Sequence, residues 1–182
     1  MSDTADDRDW VARSQAGDCE AFEELIKRHQ HMIHGLTYRM TGSMSDAEDL
    51  AQEALIRAYH GIKNFRGDSS FSSWLYRVAM NECLRWKKSA ERRQHLHQEW
   101  AAQDDPPSGQ ADSQTDTLNR LQEALLKLKP KHRAAIVLTT CEGMNHAEAG
   151  KVLGCSETTI SWRVHTARKE LKRLMTMKEA AL

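Results

Sequence analysis

The sequence predicts an all-α protein: two small helical domains joined by a flexible linker, the second containing a helix-turn-helix. Three observations carry this. Apolar residues recur every three or four positions along most of the chain, and no segment alternates apolar with polar residues as a half-buried strand does. Proline is rare, with three in 182 residues. Two of them sit together in Ala101–Thr117, AAQDDPPSGQADSQTDT, a stretch without apolar periodicity that cannot bury enough surface to offset its ordering entropy.

Composition narrows the function classes. The apolar content of 40% suffices for small cores, and the mean hydropathy of −0.70 leaves a polar surface. No apolar run approaches the roughly 18 residues a membrane span needs, so no insertion into a membrane is expected. The first residues carry Asp3, Asp6, Asp7 and Asp9 where a secretion signal has a basic stretch and an apolar core, so a cytoplasmic protein is expected. Cys19, Cys83, Cys141 and Cys155 are scattered and read as free thiols, mostly small buried apolar residues; their spacing supplies no zinc site.

A net charge of zero conceals a segregation. Residues 1–60 hold 6 basic and 12 acidic side chains, residues 61–93 hold 8 and 3, residues 94–117 hold 0 and 5, and residues 118–182 hold 12 and 6. Two basic blocks, each preceded by an acidic one, point to two polyanion-binding surfaces that the chain itself partly masks.

The elements follow in order. Residues 18 to about 93 are rich in helix formers and free of proline. Ser45-Asp46-Ala47-Glu48 has the capping-box pattern, opening a helix to about Tyr59 with Leu50, Ala54, Leu55, Ala58 and Tyr59 at helical spacing. Gly61 and then Gly67-Asp68-Ser69-Ser70 mark a loop. A second long helix is expected from about Ser72 to Arg93, with Leu75, Val78, Ala79, Cys83 and Trp86 on its apolar face. On the opposite side Trp74, Arg77, Asn81, Arg85 and Lys88 form one row. An aromatic ring, an amide and three cations in a row suit a single strand: the ring stacks on a base, the amide reads an edge, and the cations follow the phosphates. The preceding loop, Asn64 to Phe71, carries Phe65, Arg66 and Phe71 and can shape a pocket for an extruded base.

Beyond the linker, Leu118, Leu121, Leu125, Leu126 and Leu128 define a helix that stops at Pro130, and another spans about Lys131 to Cys141. From Asn145 to Met175 the sequence reads as a helix-turn-helix. Its first helix, His146 to Leu153, turns Ala147, Gly150 and Leu153 inward. Gly154 supplies the left-handed residue of the turn, and Ser156 caps the second helix. Ile160, Val164, Ala167, Leu171 and Leu174 form the buried stripe of that helix. Its other face presents Glu157, Thr158, Ser161, Trp162, Arg163, His165 and Lys169. Short polar residues at the start, with cations beyond, suit a helix lying in a major groove.

These motifs, DAEDLAQEALIRAY (residues 46–59) with FRGDSSFSSWLYRVAMNECLRWKK (residues 65–88), resemble region two of the sigma-70 family. Leu118 to Leu174, with LKPKHRAAIVL and the helix-turn-helix, resembles region four. Two such domains with a short linker are the layout of the extracytoplasmic-function (ECF) group. The resemblance divides the chain into an N-terminal segment (1–17), a region-two domain (18–94), a linker (95–117) and a region-four domain (118–182). It implies a sigma factor, with core RNA polymerase, promoter DNA and an anti-sigma factor as partners. Asp49, Gln52 and Glu53 match the part of the motif that docks on the polymerase clamp. Asn64, Phe65, Arg66, Phe71, Trp74, Arg77, Asn81, Arg85 and Lys88 fall in the minus-ten segment. Ser156, Glu157, Thr158, Thr159, Ser161, Trp162, Arg163, His165 and Lys169 fall on the helix that reads the minus-thirty-five element.

The chain departs from the family pattern twice. Alanine is usual where Gly150 stands; both are small, so close packing is expected to survive at about 1 kcal/mol of helix propensity. A basic residue followed by serine is frequent where Ser161 and Trp162 stand.

No phosphate-binding glycine loop, HExxH or Cys–His nucleophile pattern is present, so no enzyme, cofactor or small-molecule substrate is expected. His29, His31 and His34 would splay around one helix axis and are not read as metal ligands. The rival function is a conventional helix-turn-helix regulator that binds duplex DNA without polymerase. The aromatic-basic row around Trp74 and Asn81 separates the two, since a regulator has no use for a strand-separating surface. A protein-interaction adaptor would leave both basic blocks unexplained.

Overall fold

The computed structural model describes residues 5–97 and 113–179, all helix and connecting turns, with no strand among the described residues. The helices are α1 (Ala5–Gln15), α2 (Cys19–Thr41), α3 (Met44–Gly61), α4 (Phe71–His97), α5 (Ser113–Lys127), α6 (Pro130–Ile136), α7 (His146–Leu153) and α8 (Glu157–Glu179). A 3-10 turn, Ile62–Asn64, extends α3, and a π-helical turn, Val137–Cys141, extends α6.

Side-chain caps set several helix starts. Asp18 accepts from the Ala21 amide at 3.0 Å to start α2, and Gly42 ends that helix at φ 78°. The cap of α3 is Ser43, which accepts from Asp46 at 3.2 Å. The cap therefore lies two residues before the expected Ser45, which is the second residue of α3: Gly42 ends α2 in the left-handed region and Ser43 is already extended. Pro130 opens α6 at its first turn, where the missing amide costs nothing. Asn145 and Glu148 form a reciprocal capping box at α7, both bonds 2.9 Å.

The helices trim the expected linker. Helix α4 runs to His97 and α5 begins at Ser113, so only residues 98–112 of that stretch lie outside the described residues. Of the cysteines, only Cys83 is buried; Cys19 and Cys141 are exposed, correcting the expectation of mostly buried thiols. Tyr59, expected inward, is 46% exposed, and Ala47, Ala51, Ala54 and Ala58 make the packed face of α3. Small side chains there let α3 lie close against α2 and α4.

The main apolar cluster runs without a break from Leu25, Leu36, Leu75 and Met80 of the first domain to Val137, Leu138, Val152 and Ile160 of the second. Polar ties reinforce this junction. Glu142, at the end of the π turn, accepts from the Tyr76 hydroxyl and from Arg39, the latter at 2.8 Å. Burial, and then Glu142 itself, push the Tyr76 phenol well above its usual range, so it stays a donor. Gln122 donates to the Tyr38 carbonyl at 3.0 Å. Gly42 meets Leu126 so closely that a Cβ there would fall 2.3 Å from the leucine methyl.

Arg133 is the deepest of the ties, 2% exposed. Its guanidinium donates to the carbonyls of Leu125, Leu126 and Leu128 at the end of α5 and to Met40 at the end of α2. One side chain thus satisfies the last carbonyls of two helices from different domains. Arg133→Met keeps the stem and removes the donors. It is expected to lower unfolding free energy by about 2–4 kcal/mol in urea denaturation followed by circular dichroism, and a loss under about 0.5 kcal/mol would contradict this role.

Candidate nucleic-acid interface

The first surface is built on α4 and the loop before it. Phe71, Leu75, Ala79, Met80 and Cys83 anchor α4 in the core. That anchoring turns Arg77, Asn81, Arg85 and Lys88 outward as an exposed row, with Trp74 half-buried at its start. Phe65, Phe71 and Trp74 form an aromatic corner, with ring centroids 5.3 Å apart for Phe65–Trp74 and 5.7 Å for Phe71–Trp74. Phe71 is 1% exposed; it backs the corner and lines a pocket beside the loop. Asn64 and Arg66 are exposed on the loop.

Two of the cations are already engaged. Arg77 donates to the Lys151 carbonyl of α7 at 2.7 Å. Arg85 pairs with Glu82, a buried carboxylate that also holds Arg57 at 2.8 Å.

The second surface is α8. Ser156 accepts from the Thr159 amide at 3.2 Å and caps the helix as expected. Ile160, Val164 and Ala167 are buried and Leu171 and Leu174 half-buried. Glu157, Thr158, Ser161, Trp162, His165 and Lys169 are exposed, as the periodicity requires; Thr159 and Arg163 are half-buried. The partner helix differs in detail: α7 buries Ala149, Gly150 and Val152, while Ala147 is exposed and Leu153 half-buried.

Gly150 is tighter than the sequence suggested. A Cβ there would lie 2.7 Å from the Cys155 carbonyl oxygen, whose residue also donates its amide to the Gly150 carbonyl at 3.0 Å. Backbone meets backbone at this turn, so alanine does not fit without displacing α8.

The two surfaces meet. Asn81, Arg85 and Lys88 of α4 line a cleft of about 840 Å³ with Trp162 and Arg163 of α8 and with Lys129, Lys131 and His132 at the start of α6. Trp162 is 59% exposed and stands edge-on to His132, centroids 5.3 Å apart. Lys129, Lys131 and His132 lie in the LKPKHRAAIVL stretch, but no binding role follows from the sequence; they reach the cleft only through the fold. With Lys87 the cleft carries six cationic side chains and no acidic one.

A third group stands apart. Asp49 and Gln52 are exposed on α3 and Glu53 is half-buried, its carboxylate 2.8 Å from Arg57. This polar-acidic patch faces away from the core. Among the described residues no cluster of His, Cys, Asp or Glu could hold a metal ion, and no helix is long and apolar enough to cross a membrane.

Comparisons with known proteins agree across nearly the whole chain. Residues 25–93 match Sigma-70 region 2, and residues 118–171 match the family described as Sigma-70, region 4. The ECF RNA polymerase sigma factor SigM of Mycobacterium tuberculosis is 34% identical over 169 residues, covering 93% of this chain and 84% of that one. SigW of Bacillus subtilis is 31% identical, covering 90% and 93%. The ECF sigma-E factor of Escherichia coli is 31% identical, covering 94% and 95%. Among solved structures, CnrH in complex with the cytosolic domain of CnrY superposes with a TM-score of 0.71 at 26% identity, covering 94% of this chain and 98% of that one.

Gly150→Ala gains helix propensity and is nonetheless expected to lower the melting temperature by several degrees and to weaken duplex binding. Calorimetry and a gel shift check this; an unchanged or raised melting temperature would show that the turn has room for a methyl group.

Proposed function

This chain belongs to the extracytoplasmic-function group of the sigma-70 family, and on that premise we propose how its surfaces divide the work. It is a sigma factor: it binds core RNA polymerase and directs promoter recognition, strand opening and the start of transcription. The observation that carries this reading is the pairing of two surfaces in one chain. A helix-turn-helix alone would serve a duplex-binding regulator. The aromatic corner and the row through Asn81 belong to a protein that also holds a separated strand.

Each group takes a role. Asp49, Gln52 and Glu53 dock on a basic helix of the polymerase, where charge complementarity sets register and association rate. On α8, Ser156, Thr158, Ser161 and Arg163 reach base edges of the upstream element. Glu157, Thr159 and Trp162 shape that contact, and His165 and Lys169 meet phosphates. On the first domain, Phe65 and Trp74 stack on bases and Asn81 reads one. Asn64, Arg66, Arg77, Arg85 and Lys88 follow the backbone, with Phe71 supporting the corner from below. Stacking is worth about 1–3 kcal/mol per base, which offsets part of the cost of opening the duplex. Strand separation is therefore driven by binding energy, and the chain needs no catalytic centre, cofactor or small-molecule substrate. It works in the bacterial cytoplasm, where its polymerase is.

The closed packing bears on regulation. Arg77 is tied to α7, and the cleft places both DNA-binding surfaces face to face, so engaging two promoter elements requires the domains to part. An anti-sigma factor that favours the closed form would hold the chain inactive. RpoE of Bartonella quintana, a structure of the same fold, is seen in complex with the anti-sigma factor NepR.

Trp74→Ala and Asn81→Ala are expected to abolish or strongly reduce thymine reactivity in permanganate footprints of a target promoter while leaving upstream duplex binding within about twofold. Unchanged reactivity would sink the strand-holding assignment. Replacing Asp49 and Glu53 together by alanine is expected to weaken binding to core polymerase by about tenfold or more, read by co-purification and anisotropy; wild-type affinity would remove the patch from the polymerase interface.

A further inference from the structure

The cleft bounded by α4, the start of α6 and α8 has features beyond those that promoter DNA calls on. Its volume of about 840 Å³ lies within the roughly 300–1,000 Å³ of small-molecule sites. A duplex or a separated strand runs along one open face, whereas a space bounded by two domains suits a compact ligand.

Its charge is uncompensated. Lys87 and Lys88 come from α4 and Lys129 and Lys131 from the start of α6, and none of the four pairs with a carboxylate among the described residues. Leu84, Pro130 and Trp162 add apolar surface beside them. With Trp162 59% exposed, much of its indole stays open to a planar group.

His132 is a separate sign of a missing partner. It is 8% exposed and lines the cleft, and its Nδ1 has no hydrogen-bond partner among the described residues. Buried polar nitrogens are nearly always paired, because an unpaired one has lost its bond to water and gained nothing. Burial holds the His132 pKa below the usual imidazole range, which keeps the ring neutral. What it offers a ligand is therefore one directional hydrogen bond and no further charge.

We propose that this cleft binds a nucleoside triphosphate, its base against the Trp162 indole with an edge bonded to His132 Nδ1, and its phosphates held by the four lysines. Phosphates call for cations, and a base calls for a planar apolar surface with a directional polar group beside it; the cleft supplies all three. An inorganic polyphosphate uses the lysines and leaves the indole and imidazole idle. Because two of the lysines belong to each domain, the nucleotide bridges the domains in their closed packing. Asn81, Arg85 and Arg163 line the same cleft, so the ligand also covers residues given to promoter DNA. That last consequence rests on the roles proposed above, and the binding does not.

The test is titration calorimetry on the full chain at about 0.15 M salt, where exposed charges are largely screened. ATP and GTP are the probes, with inorganic tripolyphosphate and adenosine as controls. One ATP or GTP should bind per chain, with both controls at least about tenfold weaker. Trp162→Leu should bring the nucleotide down to the level of tripolyphosphate, whose own affinity stays within about twofold. Lys87→Gln and Lys131→Gln, one in each domain, should each weaken the nucleotide by about threefold to tenfold, with circular dichroism showing both variants folded. No saturable binding, or tripolyphosphate as tight as the nucleotides, overturns the proposal. A loss confined to the lysine of one domain overturns the bridge. Neither polymerase nor promoter DNA enters these titrations, so their outcome is independent of the roles proposed above.

Discussion

The buried guanidinium of Arg133 is the constraint on which the arrangement depends. A charge in the core is tolerable only when its donors all find acceptors, and the last carbonyls of a helix need donors. The ends of α5 and α2 converge on one side chain, and each solves the other's problem. Because Arg133 belongs to α6, this contact also fixes where α6 lies on the first domain. Helix α8 packs on α6 through Ile136 and Ala167, so the same contact sets how the helix-turn-helix faces α4.

The cleft follows from that placement. Both basic blocks of the sequence present cations to one space, and like charges held close in a partly enclosed cleft repel one another. The packing beneath bears that cost: Glu142 between Arg39 and Tyr76, and the apolar junction of Tyr76, Leu138 and Val152. A polyanion, or a partner with acidic groups, relieves the repulsion. The closed chain is thereby poised between packing of its two basic surfaces against each other and binding to a polyanion.

Most of the fold was legible because helices write themselves locally. The stripe from Ile160 to Leu174, the turn glycine at 154 and the row from Trp74 to Lys88 are periodic patterns within one element, and the structure reproduces them. What the sequence hid was non-local. Nothing near Arg133 announces that it will be buried under four carbonyls 5 to 93 residues away. Glu142 looked like the end of a helix, and it is an acceptor for Tyr76 and Arg39. Phe71 borders a polar loop in the sequence, and the packing of α4 draws it inside.

The measurement that bears most directly on the account is transcription in vitro with purified core RNA polymerase, with and without this protein, on a library of upstream DNA from its own genome. The account predicts discrete transcripts that depend on the protein and share two sequence elements at fixed spacing. Sequence-specific duplex binding by the protein alone, with no protein-dependent transcript, would contradict it and leave a duplex-binding regulator in its place.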